Sequence, residues 1–180
     1  MWDIPAIHFE ATTDFQSFKT DLLTKIDESP DSMDESILPI YYPQVIEALN
    51  PQFRTIETLW NLPSIAENIT EMWVEQTEDT ITRFQNTGGV GLTGRWYIEC
   101  DPATPTLFYS MHGFSKTFSC LGGGMLNFDE GELLVYPSAI PYDQQINKFE
   151  TPITVICFNI KYDRPNPMEM VQNATTIPIP

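Results

Sequence analysis

Histidine is nearly absent from this chain. Of 180 residues only His8 and His112 carry an imidazole. A metal centre of two imidazoles and one carboxylate would need both rings at one ion. Folding His8 back to meet His112 leaves no obvious third ligand. Basic residues are scarce as well: nine Lys and Arg face 25 Asp and Glu, for a net charge of −16. Such a balance repels phosphate, so direct contact with nucleic acid or an anionic membrane is not expected. The three cysteines, Cys100, Cys120 and Cys157, are odd in number and form no CxxC pair. They read as small buried hydrophobes in a reducing compartment rather than as a disulfide framework. No apolar run approaches the ~18 residues of a membrane span. The opening Met1-Trp2-Asp3-Ile4-Pro5 has neither the basic nor the apolar region of a secretory signal. Asn68-Ile69-Thr70 and Asn173-Ala174-Thr175 match the glycosylation pattern, which without such a signal is incidental.

Glycine is missing from one half only. All nine glycines lie between Gly88 and Gly131. Helix interiors avoid glycine, while turns and bulges recruit it. The expectation is a helical first half and a strand-rich second half within one domain, since 180 residues with 42% hydrophobic content make one sizeable core. We place that domain at 1–163, mainly helical over 1–87 and stranded over 88–163, with a proline-rich extended tail at 164–180.

The helical signals are specific. Asp14 can cap a helix whose Phe15, Phe18, Leu22 and Ile26 recur at helical spacing, ending near Ser29-Pro30. Asn50-Pro51 looks like a cap with proline at the first helical position, followed by Phe53, Ile56, Leu59 and Trp60 on one face. Ser64-Ile65-Ala66-Glu67 fits a capping box. The apolar stripe Ile65, Ile69, Met72, Trp73, Ile81 and Phe84 then predicts a helix to Gly88 or Gly89, with Glu67, Glu71, Glu75, Glu78 and Asp79 on its wet face.

Strand-like runs follow at 95–100, 106–111, 116–121, 132–136 and 153–162, the last rich in β-branched and aromatic residues. Gly122-Gly123-Gly124 lacks the Lys-Ser/Thr of a phosphate loop and reads as a turn or bulge. No GxSxG elbow is present, and no pair of acids stands out for glycoside cleavage. The fold class these runs predict is α+β: N-terminal helices packed on a double-stranded β-helix, or jelly roll.

One stretch is more specific. Gly131-Glu132-Leu133-Leu134-Val135-Tyr136-Pro137-Ser138 leads through Ile140-Pro141-Tyr142 to the strand from Ile153. Over about 30 residues this resembles the C-terminal part of the iron(II)/2-oxoglutarate-dependent oxygenases, in the prolyl-hydroxylase-like form common in phage genomes. The resemblance implies a strand ending in an aromatic-Pro-Ser turn before the second iron-binding histidine. It also implies a later strand whose basic residue grips the 2-oxoglutarate carboxylate. Here the histidine position falls on Tyr142 and the basic position near Ile153. The expected His-x-Asp has one candidate, His112-Gly113-Phe114, whose acidic member is Phe114.

His112, Phe114, Tyr142 and Ile153 therefore outline a vestigial pocket with no metal and no catalytic residue. The expectation is a non-catalytic binding or structural module without cofactors, a phage virion or assembly component in the host cytoplasm or virion. It would contact other protein subunits, with a homo-oligomer left open. The alternative is an iron(II)/2-oxoglutarate-dependent oxygenase with displaced ligands, using Fe(II) and 2-oxoglutarate. A lectin-like jelly roll is a third reading.

Overall fold

A computed structural model describes residues 6–12, 15–28, 38–77, 84–85, 91–103, 105–109, 123–144 and 153–162. The order is β1 (Ile7–Phe9), α1 (Phe15–Glu28), α2 (Leu38–Trp60), α3 (Ile65–Asn68), β2 (Ile69–Thr77), β3 (Phe84–Gln85), β4 (Gly91–Glu99), β5 (Thr106–Tyr109), β6 (Gly123–Leu126), β7 (Leu133–Pro137), β8 (Tyr142–Gln144) and β9 (Ile153–Lys161). Among the described residues no helix is long and apolar enough to cross a membrane.

The strands form two antiparallel sheets, one ordered β1-β7-β4-β9-β2 and the other β3-β8-β5-β6. This is a β-rich α+β arrangement. Side chains alternate across each strand, so the five-stranded sheet sorts its residues into two buried sets. Met72, Val74, Leu92, Trp96, Val135, Ile156 and Phe158 share a core with Phe15 and Leu22 of α1 and Val45, Leu49, Phe53 and Ile56 of α2. Tyr97, Leu134, Tyr136, Val155 and Cys157 form a second core with Phe108 of β5 and Tyr142 of β8. Each fully buried Leu, Ile, Val or Phe here contributes about 1.5–3 kcal/mol of transfer free energy.

Aromatic contacts tie the first core together. Phe15 meets Trp96 edge-on at 5.7 Å between centroids, and Phe53 meets Phe158 at 5.6 Å. Gly94 pairs with Phe158 across β4 and β9, and a Cβ built on Gly94 would overlap the Phe158 ring. The missing side chain at 94 is what lets that ring lie flat against its neighbour strand and meet α2.

Several elements differ from the sequence expectation. The helix expected to run from Ser64 to Gly88 is one short turn, α3, followed by strand β2, which pairs with β9 over most of its length. Ser64 makes no side-chain capping bond. Glu57 of α2 takes that role, its Oε1 accepting the Ile65 amide at 2.6 Å. Asn50-Pro51 does not start a helix either, because α2 begins at Leu38 and carries Pro43 and Pro51 inside it. Its end is capped by backbone geometry. Asn61 takes a positive φ of 49°, and the Leu62 amide donates to the Glu57 carbonyl at 2.9 Å, a Schellman closure. Gly123 and Gly124 lie in strand β6 rather than a turn. The helix over 15–28 and the strands starting near 95, 106, 132 and 153 are found. Asp14, the run at 116–121 and the tail from Arg164 lie outside the described residues.

Gly94→Ala should force a methyl into the Phe158 ring and cost about 1–3 kcal/mol. Val155→Ala should cost a similar ~1–3 kcal/mol by opening the second core. Urea unfolding at constant m-value measures both, and a change near zero at either position would contradict this packing.

Candidate functional site

The space between the two sheets is where a ligand would sit, and the sequence places an ion pair there. Along β4, Thr93, Arg95 and Tyr97 alternate with Leu92, Trp96 and Ile98, so Arg95 points away from the helix-side core. Register sets its neighbours. Arg95 lies opposite Cys157 of β9 and Leu134 of β7, and Cys157 in turn lies opposite Trp73 of β2. Two residues on, Glu75 faces Val155, which faces Tyr97. The whole Arg95 side chain is buried, a rare state for a guanidinium unless it is paired.

Its partner is Glu75. Arg95 Nη1 donates to Glu75 Oε2 at 2.8 Å. The other carboxylate oxygen, Oε1, accepts from the Tyr142 hydroxyl at 2.6 Å and from the Trp73 indole at 3.0 Å. Arg95 Cζ stands 4.0 Å from the Tyr142 ring centroid, a cation–π contact in a desolvated setting. Arg95 Nε reaches the Tyr97 hydroxyl at 3.4 Å, and that hydroxyl shares a 3.0 Å bond with Thr106 of β5. Next to these lies Tyr136, whose ring meets Phe108 and Tyr142 and whose buried hydroxyl has no hydrogen-bond partner among the described residues. At the other end of the same sheet face, Thr93 links Ser138 and Asn159 at 2.9 and 3.0 Å, and Asn159 donates to Glu71 at 2.8 Å.

The electrostatics follow the geometry. Burial alone would raise the Glu75 carboxyl, but the Arg95 charge and the bonds from Tyr142, Trp73 and Arg95 hold it below the usual carboxylate value. Burial pushes the Tyr142 phenol far up against the opposing pull of Arg95, so it stays a neutral donor. The thiols of Cys100 and Cys157 are free and buried, and burial raises both, Cys100 to about 12. Neither is a poised nucleophile.

Of the residues singled out from sequence, Tyr142 and Ile153 belong to one buried cluster. His112 and Phe114 lie outside the described residues. His8 stands apart, 3.0 Å from Glu132 and edge-on to Phe128. The residues sequence reasoning missed are Arg95, Glu75, Trp73 and Tyr136. Strict alternation around Arg95 was the available signal, since it puts a cation on the face shared with Tyr97.

No protein-family model and no curated protein matches the chain. Solved structures do match in fold. A prolyl-4-hydroxylase from Pseudomonas putida aligns with a TM-score of 0.58 at 6% identity, over 89% of each chain. The non-heme alpha ketoglutarate dependent epimerase SnoN from nogalamycin biosynthesis aligns at 0.52 and 9% identity, over 86% of this chain and 77% of that one. At such identities the likeness establishes the fold, that of the 2-oxoglutarate oxygenases. It corrects the expectation of no cofactor: the fold's neighbours point to iron and 2-oxoglutarate (alpha ketoglutarate) rather than to none. Their descriptions lend no support to a phage or virion role.

The two groups fit the described residues unequally. No cluster of three or more His, Cys, Asp or Glu able to hold a metal occurs among the described residues, and the expected histidine position holds the neutral Tyr142 phenol. The described residues alone supply no complete ferrous donor set, and His112 lies outside them. The donors for a carboxylate are present, but Arg95, Tyr142 and Trp73 converge on Glu75, so an incoming acid would take its place.

Arg95→Met alone should destabilise the protein by about 3–5 kcal/mol, since it strands Glu75 inside the barrel. Adding Glu75→Leu should restore most of that loss in denaturant titrations. The pH dependence has a defined sign. A depressed Glu75 contributes stability that is present above the ordinary value of 4.5 and is lost as pH falls through the lower folded value. Between 4.5 and that lower value the melting temperature should fall with pH more steeply for the wild type than for Glu75→Gln.

Proposed function

We propose that this chain is an oxygenase of the iron(II)/2-oxoglutarate-dependent kind with displaced ligands. Its jelly roll, covered on the outer face by α1 and α2, takes 2-oxoglutarate between the sheets at Arg95. One observation carries this reading. The resemblance in sequence asks for a basic residue near Ile153, and the buried span Ile153–Ile160 has none, Lys161 standing exposed at the strand's end. Arg95 stands on the adjacent strand, opposite Cys157, and projects into the same interior. The guanidinium is moved by one strand rather than lost. Arginine suits the task, because its planar fork matches a carboxylate and its charge survives burial. The Tyr142 and Tyr97 rings flank the cation and exclude water from it.

What the described residues do is hold and orient an anion; His112 is the imidazole that the oxygenase reading assigns to the metal. A second reading, a module acting through contacts with other protein subunits, is favoured by Tyr142 standing at the histidine position as a hydrogen-bond donor.

Purified protein supplied with ferrous iron, ascorbate and 2-oxoglutarate should form succinate above an iron-free control. Arg95→Met, made with Glu75→Leu to keep the fold, should abolish 2-oxoglutarate binding by calorimetry, and His112→Ala should abolish succinate while leaving binding intact. A folded wild type that neither binds 2-oxoglutarate at millimolar concentration nor forms succinate would overturn the oxygenase reading.

A further inference from the structure

We infer that the barrel contains a carboxylate receptor whose resident occupant is the protein's own Glu75, so that Glu75 is an internal competitor for any acid that binds there. The inference rests on the oxygenase reading only for the identity of the natural acid. Three donors converge on one carboxylate: Arg95 Nη1 on Oε2, and Tyr142 OH with Trp73 Nε1 on Oε1. They come from three strands, β4, β8 and β2, in both sheets. Nothing in this set distinguishes a side-chain carboxylate from a free one.

Two further features mark the site as exchangeable and incomplete. The guanidinium is fully buried while the Glu75 side chain is 14% exposed, so the carboxylate lies on the solvent side of the cation. An incoming acid meets Glu75 before Arg95. Beside it, the Tyr136 hydroxyl is buried without a partner among the described residues. A ligand with a second polar group, as in a 2-oxo or 2-hydroxy acid, would supply one, whereas Glu75 has no further oxygen to offer. The ligand class is therefore a small organic acid with a second acceptor. Its apparent affinity in the wild type is lowered by the cost of displacing Glu75.

The test uses the full chain with Glu75→Ala, which removes the competitor and leaves the three donors. At constant ionic strength, sodium acetate should raise the melting temperature of Glu75→Ala saturably, while sodium chloride does not. The wild type and the Glu75→Ala, Arg95→Met double variant should respond to neither. By calorimetry, 2-oxoglutarate should bind Glu75→Ala about tenfold to a hundredfold more tightly than the wild type, the range of a charge-assisted hydrogen bond regained. Should Glu75→Ala fold poorly, Glu75→Gln keeps the volume and removes the charge, and it too should bind 2-oxoglutarate more tightly than the wild type. Equal responses to acetate and chloride, or an unchanged 2-oxoglutarate affinity in the folded variant, would overturn the inference. The two ideas fail separately. Acetate rescue without any 2-oxoglutarate binding leaves the receptor and removes the oxygenase reading. Wild-type succinate formation with an acetate-blind Glu75→Ala does the reverse.

Discussion

A charge with no water around it organises this protein. Arg95 is surrounded by sheet on one side and aromatic rings on the other, so its compensation must come from fixed groups. Glu75 supplies the charge, and Tyr142 and Trp73 satisfy the oxygen that the guanidinium leaves over. This couples β2 and β4 of the five-stranded sheet to β8 of the other sheet. The pair does not by itself make the fold stable, because well-packed apolar side chains often do as well in such a place. It makes the interior particular: a fixed network of charge and hydrogen bonds rather than a plain hydrocarbon core.

The fold was largely legible from local chemistry. Glycine distribution located the strand-rich half, and the β-branched run from Ile153 marked the interior strand β9. The error at 65–84 has a physical cause. Ile69, Met72 and Trp73 fall at helical spacing, yet Ile69–Thr77 is a strand with apolar residues on both faces, Met72 and Val74 buried in one core and Trp73 half-buried against the other. A strand with two apolar faces loses its period of two. The same error hid Glu75, which looked like one acid among several on a wet helix. Pairing with β9 turns it inward. Arg95 was hidden differently: its neighbours Trp96 and Tyr97 are both large and apolar, so alternation showed only once the two cores were separated.

Fold and site carry different information here. The likeness to the prolyl-4-hydroxylase and to SnoN extends over most of the chain at under a tenth identity, so what it establishes is shared architecture. The aromatic-Pro-Ser turn at Tyr136-Pro137-Ser138 is retained as the end of β7, where Ser138 anchors the polar network of Thr93 and Asn159. Tyr142, where the sequence resemblance implies an imidazole, is a buried phenol. That phenol is bonded to a carboxylate rather than exposed, which makes it part of a worked polar structure and not a simple deletion.

Strand β4 puts its two largest polar and apolar investments side by side, Arg95 on one face and Trp96 on the other. A slip of one residue during pairing with β9 would reverse both. The guanidinium would land among Phe15 and Val135 with no counter-ion, and the indole would lose its bond to the Gly131 carbonyl. Misaligned pairing of β4 with β9 is thus penalised twice by a single dipeptide. Adjacent residues of opposite character act as a proofreader for assembly, which gives this arginine a value to the nascent chain before any ligand arrives.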